Sequence, residues 1–562
     1  MRENEKRHIV FSMLLTLTVC VLVGVLWMTQ KVNGGAGVCS PRICFANASA
    51  QPGVPIKVLA VDYPISRRPR YVWRVNGEVT GNTGSRYTPT EKDLEKEITV
   101  TVMADGVEEQ SLSVYCSRLP VLYIETEDGA GEVSKKEYQE ISYALQGADE
   151  GRYDRYEGKA QLKGRGNFSW EQPKHPYKLK LDRKENLLGM GKSKHWVLIP
   201  NFQDISLMRN TLSYRLSGEM GLTAMKTRWV SLVVNGSYAG NYQLCQQVRP
   251  GEDRVPVTDL EEISRQAADA VLAEGMISAD SRDALRERLE DDLSWMSTGA
   301  FEFEGQEYTM PDNVKAPPLT GGFILEIATT YDEPTKFTTH LGQPVMFHSP
   351  VNAWTNTELM DYAVEYVQAI EDAVWAEDGR SVFRGVSVHY SDLIDLDSLV
   401  KYWLVSEYFY NMDFGKRSVF LYKEIDEKAY MGPIWDMDFS SRSVSGFGYR
   451  DAWAVLQLNE DCQETMWYKA LVKDEVFVER AFQLYQQYRP VLLRLAEDNG
   501  VIDEYYAYLY ESAMANESLW FNGRAFTEDV EEYLKPWFRE RLAWMDEQFA
   551  SVETLMKSLN PD

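Results

Sequence analysis

The chain has 562 residues, 44% of them hydrophobic, and carries 85 Asp and Glu against 59 Lys and Arg. The resulting net charge of −26 excludes non-specific nucleic-acid binding, and 15 Trp with 32 Tyr exclude long disorder. Length and apolar content predict about two to four domains with real cores.

Ile9 to Met28 is an uncharged, mostly apolar run of 20 residues, preceded by Arg2, Lys6 and Arg7. It reads as an uncleaved anchor with a cytoplasmic tip over residues 1–32, a cleaved signal peptide being the rival reading. Both readings place everything after about residue 30 outside the cytoplasm, at the cell membrane or secreted. The six cysteines suit that compartment: a disulfide from Cys39 or Cys44 to Cys116 would staple the segment between them. Their spacing fits no zinc site.

Residues 33–118 read as a small immunoglobulin-like β-sandwich. IKVLAV, YVWRVNG, EITVTVMADG and QSLSVYC alternate apolar and polar residues, and Trp73 has the setting of a buried core tryptophan. This domain shows no chemistry and is expected to be a spacer or a module for an unknown partner.

A β-rich unit begins at Leu119 and extends to Ile327. Residues 151 to 250 hold 17 Lys and Arg against 7 Asp and Glu, a basic island that points to an anionic ligand. Within it, Gly164-Arg165-Gly166-Asn167 follows a strand and has the composition of a tight turn exposing N–H groups to phosphate. In Tyr177-Lys178-Leu179-Lys180-Leu181 the two lysines share one strand face and the leucines the other. Asp204 to Glu219 is predicted as a helix bearing Arg209, with Asp204 as N-cap. Asn235-Gly236 marks a tight hairpin. Residues 251 to 319 form an acidic insertion; 251 to 300 carry 13 Asp and Glu against 5 Arg, and SRDALRERLEDDLSWM has helical spacing, so a solvent-exposed helical excursion is expected.

GGFILEI, ending at Ile327, is predicted as a buried strand, and residues 328–562 as mostly helical. Pro490 and Pro536 are expected to kink or restart helices in the tail. Inside this part lies NMDFGKRSVFLYKEIDEKAYMGPIWDMDFS, Asn411 to Ser440. VFLYKE and KAYMGPIW read as two strands joined by a polar turn. Such a hairpin would bring its ends together, so that Asp413, Asp436 and Asp438 converge. Converging carboxylates need a cation between them, and hard oxygens suit Mg²⁺ or Mn²⁺. Turn and cap aspartates are the plainer reading of the same spacing.

The order RGN, lysine strand, HWVLIPNFQDISLMRN, VNGSYAGNYQL, GGFILEI, NMD and GPIWDMDFS resembles the CotH kinase family, first known from spore-coat proteins, over about four fifths of the chain. The resemblance implies an α+β, atypical two-lobed protein-kinase-like fold. It implies transfer of the ATP γ-phosphate to Ser or Thr of a surface or extracytoplasmic protein, dependent on Mg²⁺ or Mn²⁺. Asp413 corresponds to the catalytic Asp, Asp436 to the metal-binding Asp with Asp438 close by, and Ser418 stands where a typical kinase has a metal-binding Asn. Lys180 matches the phosphate-binding lysine best and Lys178 second. Arg165, Asn167, Arg209 and Glu326 are assigned to the nucleotide site, Glu326 to Thr330 by analogy with the hinge between kinase lobes. Gln246 and Ala328 depart from the family's usual Glu and Asp. The alternative is a membrane-tethered adhesion or scaffold protein with weak or no catalysis. A metal-dependent hydrolase fits less well, because none of the six His falls between Asn411 and Ser440.

Overall fold

The computed structural model describes residues 41–47, 50–61, 63, 68–127, 129, 133–149, 152–329, 333–411, 413–441, 448–457, 466–521 and 526–561. The apolar run Ile9 to Met28 and Cys20, Cys39 and Cys462 lie outside them. Among the described residues no helix is long and apolar enough to cross a membrane.

The chain divides into two compact units. The first is built mainly from β1 (Arg42–Asn47), β2 (Ile56–Val61), β3 (Arg70–Val75), β4 (Glu78–Val79), β5 (Arg86–Tyr87), β6 (Lys96–Ala104) and β7 (Val107–Cys116). They form two sheets, ordered β1-β2-β5 and β4-β3-β6-β7. Along β6 the buried residues are Ile98, Val100, Val102 and Ala104, the period of two that marks a sheet with one apolar face. Trp73 is fully buried, stacks on Tyr87 with ring centroids 5.4 Å apart, and donates its indole N–H to the Gly84 carbonyl at 2.8 Å. The staple expected from Cys44 is not formed. Cys44 and Cys116 are free thiols, the first exposed and the second fully buried.

The second unit, which takes in all residues from Tyr115, starts with β8 (Val121–Thr126), β9 (Gln139–Asp149), β10 (Arg152–Gly164), β11 (Tyr177–Glu185), β12 (Ser193–Ile199), β13 (Thr227–Val234) and β14 (Ser237–Gln246). These close into a barrel in the order β10-β11-β12-β14-β13-β8-β9. Leu162, Leu179, Leu181, Trp196, Leu198, Leu232 and Leu244 fill its interior, each no more than 1% exposed. A barrel this small is filled by side chains and is no channel. Strand alternation therefore sets Lys163, Lys178 and Lys180 on the outside. Asn235 and Gly236, both at positive φ (48° and 76°), make the β13–β14 turn as expected.

A helical body with its own sheet follows. Helix α1 (Arg209–Glu219) starts five residues later than expected, because Leu207 takes a left-handed conformation at φ 60°. The insertion supplies α2 (Leu260–Ala273), α3 (Arg282–Asp291) and the hairpin β15 (Ala300–Phe303) and β16 (Gln306–Thr309). It is not the solvent-exposed excursion its charge suggested: Leu260, Ala268, Val271, Leu285, Leu289 and Trp295 are buried in the main core. The second sheet joins β17 (Phe323–Ile327), β18 (Lys336–Thr338), β19 (Pro344–Ser349), β22 (Val419–Lys423) and β23 (Ala429–Met431) in the order β18-β19-β17-β22-β23. Between them come α4 (Thr357–Trp375), the hairpin β20 (Arg380–Phe383) and β21 (Val386–His389), and α5 (Leu396–Phe409). The chain ends with α6 (Glu475–Ala496), α7 (Val501–Trp520), α8 (Lys535–Gln548) and α9 (Val552–Leu559). Pro536 sits in the first turn of α8 as expected, whereas α6 runs through Pro490 without restarting.

Two readings are corrected here. Phe323 to Ile327 is the central strand of the second sheet, with Glu326 opposite Phe420 and Met346. The β-rich unit thus ends before Phe323, and Glu326 is a sheet residue in place of a hinge. Gln246 is fully buried at the end of β14. Its amide donates to the carbonyls of Met190 and Asp253 and its oxygen accepts from the Lys226 N–H at 2.8 Å. A carboxylate there would face two carbonyl oxygens with no proton to offer, so the Glu usual in the family does not fit this environment. Gln246→Glu is expected to lower stability by roughly 1–3 kcal/mol, read as an earlier unfolding midpoint in thermal or urea denaturation.

Candidate active site

The β22–β23 hairpin brings its two flanks together, with Leu421 opposite Met431. On the entering flank, α5 ends at Tyr410 in a left-handed conformation, φ 50°. The Asn411 side chain then accepts from the Asp413 N–H at 3.0 Å, and the Asp413 carbonyl accepts from Lys416 and Arg417 at 2.9 and 3.1 Å. This tight turn fixes the backbone of Asp413. On the leaving flank Asp436 has φ 61°, and Ser418 has φ 54°. Positive φ costs on the order of 1 kcal/mol or more outside glycine, so both are held by their surroundings. The Ser418 hydroxyl donates to Asp436 Oδ2 at 3.4 Å, closing the two flanks on each other.

The acidic loop is pinned from behind by α1. Asn210 Oδ1 accepts from the Met437 N–H at 2.7 Å. Arg209 Nε donates to the Ser440 carbonyl at 3.0 Å and Nη2 to the Ser441 carbonyl at 3.3 Å. The Ser441 N–H donates to the Phe409 carbonyl at the end of α5, at 2.7 Å. Arg209 is fully buried and pairs with Asp204 and, at 3.0 Å, with Asp529. Burial alone would pull its pKa down, but Asp529 and Asp204 more than offset this and hold it protonated. The nucleotide role assigned to Arg209 is therefore corrected: its guanidinium is used up behind the loop. Asn210 also donates to Asn201 Oδ1 at 3.1 Å, and Asn201 to Gln243 Oε1 at 3.2 Å, which ties the same loop to barrel strand β14.

A cavity of about 800 Å³ opens between the barrel and this loop. Its barrel wall includes Lys163, Gly164, Arg165, Gly166, Asn167, Lys178, Val197 and Ile199. Gly164 is required because a Cβ there would lie 2.1 Å from the Trp170 ring, and Gly166 because its φ is 76°. The facing wall includes Glu326, Ala328, His348, Asp413, Lys416, Ser418, Phe420, Asp436 and Asp438. Phe168 meets Phe439 across the two walls, ring centroids 5.8 Å apart. Of the residues singled out from sequence, Asp413, Ser418, Asp436, Asp438, Lys178, Arg165, Asn167 and Glu326 all line this space. Lys180 does not: it lies two residues farther along β11, opposite His195 and 5.8 Å from the Tyr138 ring centroid. Lys135, Lys163 and Lys416 also line the cavity and were not singled out. Lys163 was legible, since it alternates with the buried Ala160 and Leu162 and ends opposite Lys178.

Charge of both signs lines the cavity, Lys135, Lys163, Arg165, Lys178, Lys416 and Arg417 with Glu326, Glu333, Asp413, Asp436 and Asp438. Asp436 is open to water through the cavity yet ringed by protein, and that burial raises its pKa, with Arg165 acting in the opposite sense. Asp438 is raised well above the ordinary carboxylate range by burial, then by Asp436, Asp204 and Asp413. The convergence expected of Asp413, Asp436 and Asp438 is looser than a metal cage. Among the described residues no three His, Cys, Asp or Glu come close enough to hold an ion by themselves. Mg²⁺ on a nucleotide is held by one or two carboxylates, waters and phosphate oxygens, so Asp436 and Asp438 beside the Ser418 hydroxyl fit that use as a donor set. A carboxyl whose pKa is raised by folding destabilises the fold once ionised. The penalty is absent below the unfolded value of about 4 and grows as pH rises through the folded value. In chelator, Asp438→Asn is expected to melt above the wild type at pH 7, with the gain vanishing as pH falls toward about 4.

No curated protein matches the chain. The family model described as CotH kinase protein matches residues 162–280 and 355–545, more than half of the sequence. These segments contain the glycine turn, the lysine strand, α1 and the whole Asn411 to Ser440 hairpin, which places the chain in the CotH kinase protein family.

Proposed function

We propose that the protein is an ATP-dependent protein kinase acting on Ser or Thr of an extracytoplasmic protein, with the cavity as its nucleotide site. One observation carries the reading: Lys163, Arg165 and Lys178 of the barrel face Asp413, Asp436 and Asp438, with Lys416 and Arg417 beside these aspartates, across the same space. Lys163 and Lys178 are direct cross-strand neighbours and both line the cavity, which concentrates positive charge on its barrel side. Asp413, Asp436 and Asp438 concentrate negative charge on the side opposite. A polyphosphate chelated to a divalent cation satisfies both walls at once.

The apolar part of the cavity, with Val197, Ile199, Val248, Met346 and Phe420, suits the base. Lys178, Lys163 and Arg165 would take the phosphates, with N–H groups of the Gly164 to Asn167 turn. Asp436 and Asp438, with Ser418, would hold Mg²⁺ or Mn²⁺, which when bound supplies charge neutralisation at the phosphate oxygens. Asp413 would orient the acceptor hydroxyl and receive its proton as that oxygen bonds to the γ-phosphorus and the bridging oxygen leaves with ADP. Such catalysis is mostly positioning and charge stabilisation. The buried loop supports that requirement, because Asn210 and Arg209 hold the backbone of Met437, Ser440 and Ser441 in place.

The test is phosphoryl transfer by residues 33–562 with ATP and Mg²⁺ or Mn²⁺, followed by intact mass. Asp413→Asn and Asp436→Asn are expected to reduce transfer at least about 100-fold. Lys178→Met is expected to raise the KM for ATP more than Lys180→Met, since only the former lines the cavity. Undiminished transfer by Asp436→Asn would contradict the metal assignment.

A further inference from the structure

The apolar part of the cavity carries one carboxylate that the proposed reaction leaves unused. Glu326 on β17 lies directly between Met346 on β19 and Phe420 on β22. Residues paired across strands share a face, and these three line the cavity together with Val248 and His348. The neighbours of Glu326 along β17, Leu325 and Ile327, turn to the other face and are buried in the main core. The Glu326 side chain, 12% exposed, is thus set among apolar groups at the cavity surface.

Its partners within the chain are few. Among the described residues its only ion pair is with His348, whose Nδ1 lies 3.4 Å from Oε2. That nitrogen makes no hydrogen bond. The other, Nε2, lies 3.0 Å from the Val248 carbonyl, which can only accept. A neutral imidazole therefore carries its proton on Nε2 and offers Glu326 none. The same ring packs edge-on against Phe420, centroids 5.2 Å apart, which places both rings beside the carboxylate. An ionised carboxylate accepts up to about four hydrogen bonds, so Glu326 keeps acceptor capacity where the surroundings supply no donor.

The group that fits is a flat ring with an N–H donor on its edge. Val197, Ile199, Met346 and Phe420 suit the faces of such a ring, and Glu326 suits an exocyclic amino group. Adenine has that amino group; a keto purine sets a lone-pair oxygen against the carboxylate in its place. Phe420 is the second residue of β22 and Ser418 stands just before that strand, so one element sets both this end and the proposed metal end.

We infer that Glu326 determines which base the cavity takes, its carboxylate accepting a hydrogen bond from the exocyclic amino group of adenine. The inference rests on the nucleotide reading of the cavity and is tested by binding, without phosphoryl transfer. Calorimetry in Mg²⁺ compares ATP with inosine triphosphate, which has an oxygen in place of the amino group, and with GTP, which has the same oxygen. Wild type is expected to bind ATP at least about tenfold more tightly than either. These comparisons need no variant. In Glu326→Gln the amide can accept from an amino group or donate to an oxygen, so the preference for ATP over inosine triphosphate is expected to fall below about threefold. Equal affinity of wild type for ATP and inosine triphosphate, tighter binding of GTP, or a preference undiminished in Glu326→Gln would overturn the inference and leave the nucleotide reading standing. Binding of none of the three would count against the nucleotide reading and the inference with it.

Discussion

The buried guanidinium of Arg209 is the interaction on which the rest of the site depends. It joins Asp204 and Asp529, which lie more than 300 residues apart, and directs its remaining N–H groups at the carbonyls of Ser440 and Ser441. Removing one member of such a buried group typically costs about 3–5 kcal/mol, because the others stay buried and unpaired. Here the cost has a use. The loop after β23 holds Asp436 at positive φ beside other carboxylates, which no local preference of the sequence would maintain. Arg209 and Asn210, adjacent on α1, hold it from two directions.

Charge is arranged across the cavity on the same principle. Lys163 lies opposite Lys178 on β10 and β11, and Asp438 is pushed toward its neutral form by burial and by three other aspartates. The β10–β11 ladder fixes Lys163 opposite Lys178. The hairpin makes the acidic wall rigid.

Much of this was legible in the sequence, for physical reasons that can be named. The hairpin was visible because two apolar runs flank a polar turn, and a hairpin obliges its flanks to meet; hence Asp413, Ser418 and Asp436 were found together. The glycines of GRGN were visible as turn residues, although the Trp170 contact that demands Gly164 was not. Period-two alternation placed Lys178 and Lys180 on one face but says nothing of where along that face a cavity ends, so the choice between them needed the fold. Barrel closure was hidden because it rests on β8 pairing parallel with β13, about 100 residues away. Arg209 was misread because a buried ion pair with Asp529 leaves no local trace. The acidic insertion was misread because its charged face outweighs, in composition, the few leucines that enter the core. Gln246 showed in the sequence only as a departure from the family's usual Glu, and its three side-chain hydrogen bonds make it a structural joint.

In the proposed function a cation shared between the phosphates and Asp436 holds the nucleotide in the cavity. Calorimetric titration of ATP into the soluble protein, with Mg²⁺ or Mn²⁺ and then with chelator, tests it most directly. The account predicts binding that weakens at least about tenfold in chelator for the wild type and is nearly indifferent to metal in Asp436→Asn. Tight ATP binding without metal, equal in both proteins, would contradict it.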